Sequence, residues 1–383
     1  MNSRIIILQR ILPHYRKGFF KKLHAAFPET KIFYGQPFKK ESLKNDDNLN
    51  NKYFIPANNI YMDKRGKIFL SAIYSKLLLY KPGIVISGFS VTNLNIYFIF
   101  ILKYFIKYKI ILWSFGYDPH KGFHPETNFL DKIRLFFYQR ADAVIFYWDK
   151  GKESVEIFSK KKDHYFVAPN TLDTSRQFDL KNKFDTVGRD ILKKELGVSV
   201  KYHFIYIGRL LEDKQIDVLL RSYSILESTD SDCGLSIIGE GPMKNILQKL
   251  SSELKLKNIC FHGEILDEEI TGKWIYISHA FVMPGRLGLS VVHSFCFGTP
   301  VISQNKTKYF HGEGIGYMKD GINGFLTENG NINELADKMN EIISDPELSG
   351  RLRHNAFMTA KNECSIESMV NGFSDTINFV RKI

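Results

Sequence analysis

The sequence predicts an α/β protein made of two Rossmann-like domains, each a parallel sheet with helices on both faces, facing each other across a cleft. Three observations carry this expectation. Short β-branched runs alternate with helical patterns along the chain. The 383 residues exceed what a single core usually supports. A polar stretch without strand pattern, NTLDTSRQFDLKNKFDTVGRDILKKEL at about 170–196, separates two such series. The division is placed at 185/186, giving a first domain over 1–185 and a second over 186–364. The amphipathic stretch 365–383 is expected to pack back onto the first.

In the first half the strand candidates are RIIILQR, TKIFYG, GIVISG, KIILWSFG, AVIFYW and HYFVAPN, separated by helical stretches such as YRKGFFKKLHAAF and ETNFLDKIRLFFYQRA. In the second half they are YHFIYIG, GLSIIG, NICFHG, AFVMP and TPVISQ, with helical patterns near 213–227, 242–256, 266–277 and 289–298. Strand–helix alternation of this kind builds parallel sheets, whose ligands bind at the carboxyl ends of the strands. After residue 330 the chain reads as helical.

Composition narrows the class. Hydrophobic residues at 44% and charged residues at 25% exclude a disordered chain. Cys233, Cys260, Cys296 and Cys364 are far apart and form no Cys-x-x-Cys pair, which fits structural thiols in a reducing compartment. The opening MNSRIIILQRILPHYRKGFF does not read as a signal peptide, because Arg10 breaks its apolar run and no small-residue cleavage site follows. The apolar window 96–113 contains Lys103, Lys107 and Lys109, so a helix followed by a strand explains it better than a membrane span.

The net charge of +12 is uneven, with 32 basic against 17 acidic residues through position 190. An anionic membrane surface, a phosphorylated ligand or a nucleic acid would each account for it, as would a solvated lysine-rich surface. Nucleic acid is set aside, since the aromatics interleave at core periodicity and no reading module occurs.

Three stretches hold groups that carry chemistry. In IGRLLEDKQIDVLL a strand ends at Gly208, Arg209 follows, and Lys214 stands at the start of a helix. A forked guanidinium beside a mobile ammonium suits a diphosphate, although the pair alone also fits an exposed charged turn. In SIIGEGPMKNIL, Gly239 and Gly241 bracket Glu240 at a strand end, where backbone can approach a ligand. In PGRLGLSVVHSFCFGTPVI, Gly285 and Gly288 flank Arg286 and Leu287. A helix opens near Leu289 with amides able to hold an anion, and His293 lies on its first turns. Taken alone, a helix histidine is more often a satisfied half-buried residue than a ligand contact. No Gly-x-Gly-x-x-Gly fingerprint, Gly-x-Ser-x-Gly elbow, Walker loop or His-Glu-x-x-His run is present. His120 and His124 have helical metal spacing, but Pro119, Gly122 and Pro125 break any helix there, so neither a metal nor a cofactor is expected.

In their order and spacing, GRLLEDKQIDVLL, IIGEGPMKNIL, NICFHGEI, PGRLGLSVVHSFCFGTPVI and DGINGFL resemble the second domain of family 4 retaining glycosyltransferases of GT-B fold. LPHYRKGFFKKL, ADAVIFYWDKG and VAPNTLDT are similar to the acceptor-side domain, and the likeness is loose between 36 and 108. The resemblance implies a nucleotide-sugar donor held mainly by the second domain. Arg209 and Lys214 match the pair that stabilises the leaving diphosphate. Gly18, in a loop after the first strand, matches the glycine whose backbone approaches the donor phosphates. Glu264 and Ile265 match the segment that brackets the base, and Leu287, Gly288 and Leu289 the amides that reach the diphosphate. Gly208, Gly239 and Glu240 complete the donor side. The family's two signature glutamates, eight positions apart, correspond here to Gly285 and His293, as in a branch of cell-surface polysaccharide transferases. Asp118 and His120 end a first-domain strand and are candidates for orienting the acceptor.

The expectation is therefore a retaining transferase at the cytoplasmic membrane face, adding a sugar to a lipid-linked glycan, with the basic first half resting on anionic headgroups. A nucleotide-sugar epimerase of the same fold and a degenerate scaffold subunit stay open at this point.

Overall fold

The computed structural model describes residues 3–39, 45–46, 52–117, 122–306 and 311–383. The chain forms two compact units. Unit 1 takes the residues up to Asp173 together with Ile366–Ile383, and unit 2 is Thr174–Ser365.

Unit 1 runs β1 (Ile5–Gln9), α1 (Lys17–Ala26), β2 (Thr30–Tyr34), β3 (Phe54–Pro56), β4 (Asn59–Tyr61), β5 (Phe69–Ser71), α2 (Tyr74–Tyr80) and β6 (Ile84–Gly88). It continues with α3 (Leu94–Ile106), β7 (Lys109–Ser114), α4 (Phe129–Arg140), β8 (Ala143–Phe146), α5 (Asp149–Glu156) and β9 (Tyr165–Val167). Seven strands form a parallel sheet in the order β3-β2-β1-β6-β7-β8-β9, while β4 and β5 pair antiparallel beside it. Alternate residues of each strand feed two cores. Ile5 and Ile7 join one with α1, whereas Ile6 and Leu8 join the other with α3. Burial on both faces is why these strands read as continuous apolar runs rather than alternating ones. The three-residue strands β3, β4 and β5 are too short to leave any period in the sequence.

The apolar window 96–113 resolves into α3 and β7, and no described helix is long and apolar enough to cross a membrane. Asn93 caps α3 by accepting the Asn95 N–H, and Lys107 ends it in the left-handed region at φ +58°. Asp142 then receives Lys103 at 2.6 Å, Lys109 at 3.5 Å and the Ile110 N–H at 2.7 Å. Two of the three lysines that argued against a membrane span are thus ion-paired.

Unit 2 runs α6 (Ser175–Val187), α7 (Arg189–Glu195), β10 (Tyr202–Ile207), α8 (Ile216–Thr229), β11 (Cys233–Ile238), α9 (Lys244–Glu253) and β12 (Ile259–Gly263). It goes on through α10 (Glu268–Ile277), β13 (Ala280–Val282), α11 (Ser290–Cys296), β14 (Val301–Gln304), β15 (Gly324–Thr327), α12 (Ile332–Ser344) and α13 (Pro346–Asn362). Its six-stranded parallel sheet has the order β12-β11-β10-β13-β14-β15.

The division falls at Asp173/Thr174 rather than at 185/186. α6 belongs to unit 2 because it packs on α10 and α11, with Phe184 stacked on Phe297 at 5.8 Å between ring centroids. The chain returns to unit 1 as α14 (Ile366–Lys382). Met369, Phe373, Ile377 and Val380 form a buried stripe on α14, and Phe373 meets Phe19 of α1 edge-on at 4.9 Å. Each such buried side chain contributes roughly 1.5–3 kcal/mol. All four cysteines are free, and only Cys260 is exposed.

In both sheets the strand order reverses beside the first strand of the unit. β1 lies between β2 and β6, and β10 lies between β11 and β13. A reversal leaves a crevice at the carboxyl ends, because the connections on its two sides leave in opposite directions.

Candidate active site

At the carboxyl end of the unit 2 sheet, the turns that follow β10, β11 and β12 are tied backbone to backbone. The Gly208 N–H donates to Ile238 O at 3.0 Å, the Gly239 N–H to Gly263 O at 2.7 Å, and the Leu210 N–H to Glu240 O at 2.9 Å. A Cβ on Gly239 would lie 1.9 Å from Gly208 O, so only glycine allows these two turns to touch.

Arg209 stands exposed on the first turn, its carbonyl accepting the buried Tyr206 hydroxyl at 2.9 Å. Lys214 does not start the helix. It ends a single 3-10 turn, Glu212–Lys214, after which Gln215 takes φ +49° and α8 begins at Ile216. This places Lys214 against the loop that follows β13. The Gly285 N–H donates to Lys214 O at 3.0 Å and the Arg286 N–H to Asp213 O at 2.7 Å. In return the Lys214 ammonium donates to Arg286 O at 2.6 Å. The Arg286 guanidinium is exposed and lies 3.9 Å from the Asp213 carboxylate. Burial brings the Lys214 pKa down to about 8; Asp213 opposes the shift, while Arg286 and Arg209 add to it. Such a cluster of cations favours a bound polyanion.

Gly285 is a packing requirement. A Cβ there would sit 2.2 Å from the Lys214 carbonyl carbon and 2.3 Å from Asp213 O. No side chain, and no carboxylate, fits that position while the Glu212–Lys214 turn stays where it is.

The three amides expected to reach a diphosphate are not equivalent. The Leu287 N–H donates to His311 Nδ1 at 3.1 Å, and His311 Nε2–H donates to Gln304 O at 2.7 Å. These two partners fix the tautomer. Burial holds the His311 pKa down to about 4, so the ring is neutral around pH 7. The Gly312 N–H returns to Leu287 O at 2.8 Å, which locks Leu287 from both sides. Among the described residues no acceptor meets the N–H groups of Gly288 or Leu289, so these two remain open to a ligand. His311 carries no signal in the sequence, since the bond to Leu287 spans 24 residues.

His293 lies half-buried on α11, and burial lowers its pKa, so its imidazole is neutral around pH 7. Glu240 is exposed and paired with Lys244 at 2.5 Å. Glu264 is exposed and Ile265 half-buried after β12. The structure therefore brings Gly208, Arg209, Lys214, Gly239, Glu240, Glu264, Ile265 and the 285–289 loop to the carboxyl end of the sheet, with His293 on the helix that follows.

Unit 1 corrects one expectation. Gly18 lies inside α1 rather than in a loop, and a Cβ on it would fall 2.2 Å from Asp173 Oδ2. A carboxylate thus occupies the space beside that glycine. Asp118 and His120 fall outside the described residues. Among the described residues no group of three or more His, Cys, Asp or Glu is placed to hold a metal ion.

Residues 189–358, just under half of the chain, match the model of the family described as Glycosyl transferases group 1. The chain is 27% identical over 237 residues to an uncharacterized glycosyltransferase of Methanocaldococcus jannaschii, covering 58% of this chain and 56% of that protein. It is 25% identical over 211 residues to the poly(ribitol-phosphate) alpha-N-acetylglucosaminyltransferase of Staphylococcus aureus, covering 53% and 42%. The chain thus spans about half the length of the curated relatives it matches. Among solved structures it is similar to Anabaena HepE in complex with UDP, with a TM-score of 0.71 at 15% identity, covering 98% of this chain and 99% of that one. The fold is GT-B: two Rossmann-like domains of parallel sheet and helices.

Proposed function

We propose that the chain is a retaining glycosyltransferase that moves a sugar from a nucleotide-sugar donor to a glycan acceptor in cell-surface polysaccharide synthesis. The observation that carries this reading is the unit 2 strand-end edge. Arg209, Lys214 and Arg286 gather there beside the open amides of Gly288 and Leu289, inside the segment that matches the glycosyl transferases group 1 model. Cations and amides held in place before the substrate arrives stabilise a departing diphosphate without reorganising at the moment of transfer. Retention needs no second carboxylate here if the leaving phosphate takes the proton of the incoming hydroxyl, which agrees with Gly285 and His293 standing at the two glutamate positions. His293, neutral and able to accept one hydrogen bond, is assigned to a donor hydroxyl, with Glu264 and Ile265 near the base.

The UDP complex of Anabaena HepE makes UDP the first nucleotide to try. The acceptor is assigned to a lipid-linked glycan at the cytoplasmic membrane face. Phe98, Ile101, Tyr104 and Phe105 of α3 are exposed, with Lys107 beside them, which supports peripheral contact with an anionic surface.

The test is a thermal-shift screen of UDP and GDP, followed by mass spectrometry of nucleotide-sugar hydrolysis. Stabilisation by one diphosphate that disappears in Arg209→Ala, with slow release of one sugar, is the expected result. Stabilisation by no nucleotide would leave a scaffold subunit. Turnover of the donor to an isomeric nucleotide sugar without acceptor would make the protein an epimerase. Flotation with anionic vesicles that survives neutralising Lys21, Lys22, Lys103 and Lys107 would remove the charged membrane contact.

A further inference from the structure

The antiparallel hairpin β4–β5 stands outside the parallel sheet of unit 1, yet it is firmly anchored to the carboxyl ends of that sheet. Buried Asn59 donates to Arg10 O at 2.7 Å and to Gln36 O at 3.0 Å, in the segments that follow β1 and β2. The Ser71 hydroxyl donates to Asn59 Oδ1 at 2.7 Å, and the Ser71 N–H donates to Asn95 Oδ1 at 3.0 Å. Asn95 in turn donates to Asn93 Oδ1 at 2.8 Å, and Asn93 donates to Gly88 O, at the end of β6, at 2.9 Å.

The hairpin turn, Met62–Ile68, is rigid for local reasons. The Asp63 carboxylate accepts the Ile68 N–H at 2.6 Å and the Arg65 N–H at 3.1 Å. Gly66, at φ +65°, lies against Phe38, whose ring a Cβ would meet at 2.5 Å. The result is a fixed turn that carries Lys64, Arg65 and Lys67, all exposed. With Arg10, Ser90 and Thr92 these three cations line a cavity of about 580 Å³, and among the described residues no carboxylate lines it.

A second cavity of about 290 Å³ adjoins it, sharing Arg10, Phe69 and Ser90. Its lining is of another kind, with the amides of Gln9, Asn93 and Asn95 beside the aromatic rings of Trp113 and Tyr147. Trp113 is 2% exposed, and its indole N–H is buried without an acceptor among the described residues. A buried donor left unpaired next to a cavity calls for a ligand or solvent oxygen. The Gln9 amide, the Trp113 N–H and the aromatic faces fit a polyhydroxylated group, Asn93 and Asn95 being already engaged in the hairpin's anchor, and four cations fit a phosphate.

We propose that unit 1 binds a phosphate-bearing acceptor, its sugar or polyol in the Trp113 cavity and its phosphodiester or pyrophosphate on the Lys64–Lys67 turn. This rests on the glycosyl-transfer reading, since it names the acceptor of that reaction. The phosphate belongs to a lipid pyrophosphate headgroup or to a polyol-phosphate chain, and the experiment separates these two from adventitious binding of a free ion.

Three probes are titrated calorimetrically into the full chain with excess UDP present: inorganic pyrophosphate, a glycerol-phosphate trimer, and a short-chain polyprenyl-pyrophosphoryl N-acetylglucosamine. Each is measured for the wild type, for Lys64→Ala/Arg65→Ala/Lys67→Ala, and for Lys160→Ala/Lys161→Ala/Lys162→Ala. The last variant removes the same charge from another exposed stretch of unit 1. The turn variant is expected to bind at least ~10-fold more weakly and the control less than ~2-fold more weakly. Arg65→Gln is a milder companion, and melting temperatures report folding of every variant. Tighter binding of the trimer or of the lipid probe than of pyrophosphate supports the proposal and identifies the phosphate's source. Equal weakening in both triple variants, binding of pyrophosphate as tight as that of the two larger probes, or binding of none of the three, overturns it. UDP binding is scored separately in the same variants. Its loss in all of them, wild type included, would count against the glycosyl-transfer reading while leaving the anion result to stand or fall by itself.

Discussion

The Lys214 ammonium donates a 2.6 Å hydrogen bond to the carbonyl oxygen of Arg286, while the backbone of Gly285 is pinned to the carbonyl of Lys214. The cation and the loop that follows β13 therefore hold each other in place. Any change to one is felt by the other.

Charge on Lys214 is the first consequence. With its pKa down to about 8, Lys214 is mostly protonated at pH 7 and loses its proton as pH rises through 8. A diphosphate selects the charged form, so affinity for UDP is expected to fall between pH 7 and 9 with a slope approaching one proton. Calorimetry across that range checks it. Lys214→Met should bind weakly throughout and show no such slope.

Gly285→Ala should push the Glu212–Lys214 turn away, because the added Cβ meets backbone at 2.2 Å. Overpacking of this kind costs about 1–3 kcal/mol. UDP affinity is expected to drop at least ~10-fold. Gly285→Glu, with a longer side chain to place against the same backbone, should fare worse. Wild-type affinity in either variant would contradict the packing argument.

His311→Ala leaves the Leu287 N–H without its acceptor and removes a donor from Gln304 O. A loss of about 1–3 kcal/mol in stability follows from the unpaired buried groups. A melting curve reads that loss, and faster amide exchange confined to 285–290 would identify its source.

The His293 substitutions separate two roles. If the imidazole meets a donor hydroxyl, His293→Glu keeps an acceptor and should retain more activity than His293→Ala. Equal turnover in the two variants would return the residue to a packing role.

Acid sensitivity of unit 2 is expected from His203 and His279, both brought down to about 3, chiefly by burial. His203 Nδ1 lies 2.9 Å from the Ser278 hydroxyl and Nε2 lies 3.0 Å from that of Ser236, while His279 Nδ1 accepts the His203 N–H at 3.1 Å. Both pKa values are depressed in the folded state, so the unfolded chain binds more protons below about 6.5. The stability they contribute is complete above that pH and is lost as pH falls toward 3, on the order of 2 kcal/mol per ring by pH 4.5. Urea unfolding at pH 7 and pH 5 tests the sign, and His203→Gln should flatten the difference.

Much of this was legible in the residues. The strands β1, β2, β6 to β9, β10, β11, β13 and β14 declare themselves as apolar runs, because burial on both faces demands it, while the edge strand β12 shows through its flanking turns. The order of Arg209, Lys214, Glu240, Glu264, Gly285 and His293 along the second half was readable too, since each follows a strand end.

What the sequence determined by itself is therefore the alternation that builds two parallel sheets, and the residue types placed at their carboxyl ends. Only the tertiary structure decided which of those groups meet. The resemblance puts Gly18 in a loop but it lies in α1 against Asp173, and α6 reads as part of the first half but packs on α10 and α11. His311 holds Leu287 across 24 residues, and Asn59 anchors a hairpin whose strands are three residues long. Periodicity records only which face of an element is buried. Contacts between residues far apart in the chain leave no period, because one partner's identity says nothing of where the other will lie.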